Sequence, residues 1–337
     1  MPDLLSVGLV GYGFAGRIFH APLIHATPGM RLAAIVSSRP EAVHSEWPQI
    51  KVVANLAALL ADPQIDLVVL ATPNQTHFPL AQAALQAGRH VVVDKPFTLT
   101  VAEADVLIDL AEEQGVLLSV FHNRRWDNDF LTIQHLIAQG ALGEVMTLES
   151  HFDRFRPGVR DRWREWAEPG AGLLYDLGSH LIDQALVLFG SPDHVWADLG
   201  RQREGAQIDD YFHLVLRFGE KRAILHAGSL VVAPPFRFAV HGAKGSYVKQ
   251  GLDPQEDQLK QGIRPGESGW GIESADDHGV YMPAGGEPVV VESRPGTYEA
   301  YFAGIVKTIR DRSPLPVTAT AARKVISVIE SARRMNH

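Results

Sequence analysis

The stretch Leu5-Ser6-Val7-Gly8-Leu9-Val10-Gly11-Tyr12-Gly13-Phe14-Ala15-Gly16 decides the architecture. Leu5 to Val10 is a short, mostly apolar run, the signature of a strand buried on both faces. Gly11 to Gly16 is a G-x-G-x-x-G. With 30 glycines in the chain, that pattern alone says little. Its setting says more. It follows an apolar strand, opens a helical segment and precedes a second strand at Arg31, the context of a dinucleotide-binding βαβ unit. Gly11 permits the tight turn, Gly13 lets backbone approach a pyrophosphate, and Gly16 lets helix and strand pack closely. The amides around Phe14 and Ala15 would face the phosphates at the helix N-terminus, where unpaired N–H groups favour anions. A plain strand–helix turn is the competing reading.

The rhythm continues outward. Arg31 to Ser38, Lys51 to Val53, Asp66 to Ala71, His90 to Val93 and Val116 to Phe121 read as further strands. Amphipathic stretches, Leu80 to Ala87 and Ala102 to Glu113, lie between them, and Thr100 with Glu103 has capping-box spacing. Alternating buried strands and helices predict a parallel sheet, hence a Rossmann domain over 1–121. Beyond it the pattern changes. Helices are expected at Asp129 to Ala138 and Leu174 to Leu188, and a strand at Glu144 to Ser150. Turn-linked strands follow at Tyr211 to Phe218, Arg222 to Ser229, Arg237 to His241 and Ser246 to Lys249, predicting a largely antiparallel sheet. Gly251 to Gly286 reads as a long surface excursion, and two helices close the chain, about Tyr298 to Arg310 and Ala319 to Arg333. The fold class is therefore α/β: a Rossmann domain, then an α/β domain over 122–337.

The bulk properties narrow the function. The 337 residues suffice for two cores, and 46% are apolar against 21% charged. A formal net charge of −8 argues against nucleic acid as a partner. No apolar run approaches the roughly 18–20 residues of a membrane span, so no membrane partner is expected. The absence of cysteine removes thiol chemistry and fits a cytoplasmic protein. There is no HExxH pair and no tight histidine–carboxylate ligand set, so no metal is expected; nor is there a GxSxG elbow.

The end of the second strand bears on the cofactor. An NAD site normally places Asp or Glu there to bond the ribose hydroxyls. Here Ser37-Ser38-Arg39 stands instead. Two hydroxyls and a guanidinium suit a 2′-phosphate, so NADP(H) is expected ahead of NAD(H). A solvated loop arginine is the alternative.

Three features could carry chemistry. Asp94-Lys95-Pro96 follows a strand at the carboxyl edge of the sheet, where open α/β sheets bind ligands. Lys95 there is either a donor to a reacting oxygen or a surface lysine. Asp176 and His180 are four apart on an expected helix. They are either a carboxylate-oriented proton acceptor or a local surface pair. His122 to Trp126 and the arginines from Arg154 to Arg164, interleaved with Phe155 and Trp163, are either a polar-substrate wall or a basic surface. Asn123, Arg124, Arg162, Trp163, Asp176 and His180 are the substrate-contact candidates. His77, read alone, is a capping or core histidine.

Taken in order, the glycine loop, Ala71-Thr72-Pro73-Asn74 with His77, Asp94-Lys95-Pro96 and Gly172 to His180 resemble the Gfo/Idh/MocA family of NAD(P)-dependent sugar and polyol dehydrogenases. The likeness runs from about residue 4 to the last helix. The runs Val120 to Asp127 and His151 to Glu165 resemble a subgroup that includes scyllo-inositol dehydrogenases using NADP. The resemblance implies that Lys95 touches the reacting oxygen and that Asp176 and His180 form the catalytic pair. It implies that Thr72, Pro73, Asn74 and His77 belong to the cofactor loop, and that Lys95 and Pro96, joined by a peptide often cis, also contact the cofactor. Asp94 departs from the family's usual Glu but keeps the charge. The implied activity interconverts a secondary alcohol and a ketone on a cyclic polyol or sugar. Reduction of another sugar or cyclic carbonyl, or a non-catalytic cofactor-binding sensor, is the alternative. A homodimer or homotetramer is implied, since the second-domain sheet often forms the family's interface.

Overall fold

The computed structural model describes residues 4–335. The chain forms two compact units. One comprises Met1–Asn123, Gln255–Trp270 and Thr297–Arg323; the other comprises Arg124–Pro254, Gly271–Gly296 and Lys324–His337.

The first unit holds six strands: β1 (Leu5–Val10), β2 (Met30–Val36), β3 (Lys51–Val53), β4 (Leu67–Leu70), β5 (His90–Asp94) and β6 (Leu118–Phe121). Their order is β3-β2-β1-β4-β5-β6, and every pairing is parallel. The order reverses between β1 and β4, which places the crevice of the sheet beside the glycine loop. β1 and β4 are buried throughout, as their apolar runs require. The Val101–Gln114 helix begins with the expected capping box: Thr100 accepts from the Glu103 amide while the Glu103 carboxylate accepts from the Thr100 amide. It stops at Gly115 in the left-handed region, φ 63°. A buried Ser119 hydroxyl bonds the Val317 carbonyl at 2.6 Å and meets the Tyr301 hydroxyl at 2.8 Å, tying β6 to the late segment 297–323.

The second unit is built on eight strands: β7 (Val145–His151), β8 (His194–Gly200), β9 (Tyr211–Phe218), β10 (Lys221–Gly228), β11 (Phe238–Gly242), β12 (Gly245–Lys249), β13 (Gly279–Pro283) and β14 (Val289–Val291). The order is β14-β13-β12-β11-β7-β10-β9-β8, and only β7 and β10 run parallel. In β9 and β10 buried residues alternate with partly exposed ones, so one face of the sheet covers the core. The Ser179–Phe189 helix packs on it and buries Leu181, Ile182 and Ala185.

Two expectations need correction. The helix read over Leu174 to Leu188 opens with a π-helical turn, Leu174–Gly178, before the α-helix of Ser179–Phe189. The segment read as a surface excursion contains the Gln255–Gln261 helix and β13. β13 is held by pairing with β12, which no local pattern in its Gly- and Pro-rich surroundings reveals.

Candidate active and cofactor sites

The glycine loop follows β1 directly. Gly11 has φ 97°, and a Cβ there would lie 2.4 Å from the Ala71 carbonyl oxygen. A Cβ on Gly16 would lie 2.1 Å from the Gly11 carbonyl oxygen. Neither position accepts a side chain. A Cβ on Gly13 would meet nothing within 4 Å. Gly13 therefore leaves its backbone open to a ligand. One cavity is lined by Val10, Gly11, Tyr12, Gly13, Val36, Ser37, Ser38, Arg39 and Thr72. It brings together the glycine loop and the candidate 2′-phosphate residues, and no lining residue is acidic. The Arg39 amide bonds the Ser37 hydroxyl at 3.1 Å, shaping that turn, while the Arg39 side chain is exposed.

Sequence reasoning missed the brace beneath this loop. The Tyr12 hydroxyl donates to Glu46 at 2.7 Å, and Arg17 pairs with the same carboxylate. Burial, reinforced by Glu46, pushes the Tyr12 hydroxyl above its ordinary range, so it stays a donor. Burial opposes charge on Glu46, but the Arg17 and Tyr12 bonds prevail and lower its pKa.

Phe14 is 52% exposed, and Ala15 caps the π-helical turn Gly16–His20. Thr72 to Thr76 form the loop after β4, closed by a Thr76–Thr72 hydroxyl bond of 2.7 Å. Asn74 is buried. His77 is fully buried, with Nδ1 2.8 Å from the Pro96 carbonyl and Nε2 3.0 Å from the Thr72 carbonyl. The ring thus braces the loop after β4 against the loop after β5, and it would act on a bound cofactor through those loops. Burial lowers its pKa, opposed by the charge of Asp94 and the backbone bonds.

Lys95 is half-buried at the end of β5, its peptide to Pro96 is cis, and its amide bonds the Asp94 carboxylate at 2.8 Å. Burial opposes the Asp94 charge, yet His20 and Lys95 hold its pKa below the usual value. His20 Nε2 lies 3.7 Å from that carboxylate.

In the second unit, a cavity is lined by Arg154, Arg156, Arg162, Arg164 and Arg203, with Glu165, Asp176, Asp209 and Asp210 among its acidic residues. Asp176 sits in the π-helical turn and lies 3.5 Å from the Arg164 guanidinium. His180, one residue into the following α-helix, is 5% exposed. Of the expected substrate contacts, Arg162 and Asp176 line this cavity; Arg124, Trp163 and His180 do not. Arg162 pairs with Glu165 at 2.7 Å. Trp163 carries the Arg164 guanidinium 4.8 Å above its ring. Arg124 pairs with Asp127 at 3.1 Å and lies over the Phe152 ring, while Asn123 is buried at the end of the first unit.

The loop before β9 contributes what the sequence did not advertise. Arg203 pairs with Asp210 at 2.8 Å and Glu165 at 3.0 Å, and donates to the carbonyls of Arg156 and Gly158. Asp209 accepts from the Leu174 amide at 2.7 Å, and burial raises its pKa. Gly172, φ 92°, is required beside it: a Cβ there would stand 2.3 Å from the Asp209 carboxylate. The dipeptide Asp209-Asp210 was the only local signal. The fold also gathers His151, Asp153 and His226, with one donor atom of each within 4.8 Å of the others.

The chain matches two family models: the oxidoreductase-family NAD-binding Rossmann fold over residues 5–122 and the oxidoreductase-family C-terminal α/β domain over residues 134–335. It is 53% identical to the oxidoreductase YdgJ of Escherichia coli (strain K12), covering 98% of this chain and 96% of that one. It is 44% identical to the NADP(+)-dependent scyllo-inositol 2-dehydrogenase IolW of Bacillus subtilis (strain 168), over 98% and 93% of the two chains. The crystal structure of the oxidoreductase yvaA from Bacillus subtilis superposes with a TM-score of 0.96 at 42% identity, covering 100% of this chain and 97% of that one. With both family models filled in sequence order by a parallel six-stranded sheet and a mixed eight-stranded one, the chain belongs to the Gfo/Idh/MocA family of oxidoreductases.

Proposed function

We propose that this protein is an NADP(H)-dependent oxidoreductase that interconverts a secondary alcohol and a ketone on a cyclic polyol or sugar, of the scyllo-inositol and keto-inositol type. The observation that carries the cofactor reading is the cavity at Gly11–Gly13, where Ser37, Ser38 and Arg39 stand and no lining residue is acidic. A carboxylate there would repel a 2′-phosphate; a guanidinium and two hydroxyls bind it. The polyol reading rests on the similarity to IolW together with Lys95, Asp176 and His180.

The residues around the cavity fit a dinucleotide: the Gly13 backbone is open, and the adjoining helix N-terminus favours the pyrophosphate. When bound, the nicotinamide supplies the acceptor or donor for hydride at the substrate carbon. The Lys95 ammonium stabilises charge on the reacting oxygen. His180 takes the hydroxyl proton in oxidation and returns it in reduction. Asp176 favours the protonated imidazole electrostatically, its own charge held in place by Arg164.

We also propose a homo-oligomer. Trp196, 44% exposed, and Met282, 37% exposed, stand on the outward face of the eight-stranded sheet, which a second copy would cover. No helix among the described residues is long and apolar enough to cross a membrane.

Titration of NADPH and NADH into wild-type and Arg39→Asp proteins tests the cofactor reading. The expected wild type binds NADPH at least about tenfold more tightly, and the variant loses that preference. Tighter binding of NADH by the wild type would refute it.

A further inference from the structure

His151 and Asp153 alternate along β7 and its extension, so both side chains project to one face of the sheet. β10 lies alongside in parallel register, with His226 paired to His151. Asp153 Oδ2 lies 3.2 Å from His151 Nδ1, and Asp153 Oδ1 lies 3.3 Å from His226 Nε2. All three donor atoms fall within 4.8 Å of one another. For a tetrahedral ion with ligands at about 2.0–2.1 Å, neighbouring donors stand about 3.3–3.4 Å apart. The His151–Asp153 and His226–Asp153 contacts have about that length, each to a different oxygen of the Asp153 carboxylate.

The donors are held in place. The Asp153 side chain is only 1% exposed, and its Oδ1 accepts the Gly228 amide at 2.9 Å. The His151 ring meets the Phe236 ring edge-on at 4.8 Å, and the His226 ring meets Tyr211 edge-on at 5.2 Å. The two imidazoles are each about one-seventh exposed, on the outward face of the sheet that carries Trp196 and Met282. His213, opposite His226 on β9, has its ring 5.7 Å away and lies outside the donor triangle.

We propose that His151, Asp153 and His226 form a binding site for one divalent transition-metal ion of the zinc class, with at least one coordination position left to water. Two imidazoles and one carboxylate without thiolate suit Zn2+, Co2+ or Fe2+ rather than the all-oxygen preference of Mg2+ or Ca2+. Asp153 precedes Arg154 directly, so a bound ion would pin the root of the arginine-bearing segment that lines the second-unit cavity.

Calorimetric titration of EDTA-treated, dialysed full-length protein with Zn2+ tests this, with Co2+ in parallel for its visible absorption. The expected result is one equivalent per chain, weakened at least about tenfold by His151→Ala and by His226→Ala, with loss of the Co2+ bands. The two histidines stand at the ends of the central strands β7 and β10, and circular dichroism of the variants verifies their fold. His44→Ala, at an exposed histidine of the other unit, is expected to titrate as wild type. No saturable binding of either ion overturns the proposal, as does an unchanged isotherm in the His151→Ala/His226→Ala protein.

Discussion

His77 Nδ1 lies 2.8 Å from the carbonyl oxygen of Pro96, across the carboxyl edge of the parallel sheet. Through Nε2 and the Thr72 carbonyl the same ring holds the neighbouring loop. Two loops that the account assigns to cofactor and substrate are thus fixed by one buried side chain. Replacing His77 by Ala removes both bonds and leaves a cavity. The expected cost is about 2–4 kcal/mol in unfolding free energy. Weaker NADPH binding should accompany it. Denaturant unfolding and a cofactor titration measure the two effects; unchanged values in both would show that the brace is dispensable.

Lys95→Ala and His180→Ala are expected to lower kcat by about a hundredfold or more, the usual worth of a positioned acid–base or oxyanion group. NADPH affinity should stay within about threefold of wild type, because neither side chain is assigned to the dinucleotide phosphates. Turnover at the wild-type rate with cofactor still bound would remove the role given to that residue.

Arg203 is 6% exposed and joins Asp210, Glu165 and the backbone of the Arg156 to Gly158 turn. Removing one member of a buried ionic network strands its partners, so Arg203→Met should cost about 3–5 kcal/mol. It should also raise KM for the polyol more than it lowers kcat. Arg203→Lys should recover little, since an ammonium cannot reproduce the guanidinium fork. Full stability of Arg203→Met would show that the pocket wall does not depend on it.

Burial raises the pKa of Asp209. An acid with a raised folded-state pKa contributes its stability in acid and loses it as pH rises from the unfolded through the folded pKa. Asp209→Asn keeps an oxygen for the Leu174 amide without the buried charge. Its Tm relative to wild type should therefore rise with pH across that window. Thermal melts from acid to neutral pH check the sign; a relative Tm falling with pH would contradict it.

Much of the first unit was legible because its signals are local. Leu5 to Gly16 holds strand, turn and helix start in twelve adjacent residues, and Thr100 with Glu103 encodes its cap within one turn. The second unit hides its logic in long-range pairing. β8 and β13 are stabilised by partners in other strands, β9 and β12, rather than by their own patterns. Arg203 and Asp209 enter the pocket wall from a loop whose sequence shows only scattered charge. His226 joins His151 and Asp153 only once β10 lies beside β7. The π-helical turn under Asp176 was invisible for another reason: Leu174 to Phe189 has an apolar content that suits either helical winding.

The most direct test follows absorbance of NADPH as the purified protein meets scyllo-inositol, other inositol isomers and common aldoses with NADP, and NAD in parallel. The account predicts NADPH formation with scyllo-inositol or another cyclic polyol, at a kcat/KM at least about tenfold above that with NAD. Absence of turnover on every cyclic polyol and sugar, with NADPH binding intact, would contradict it.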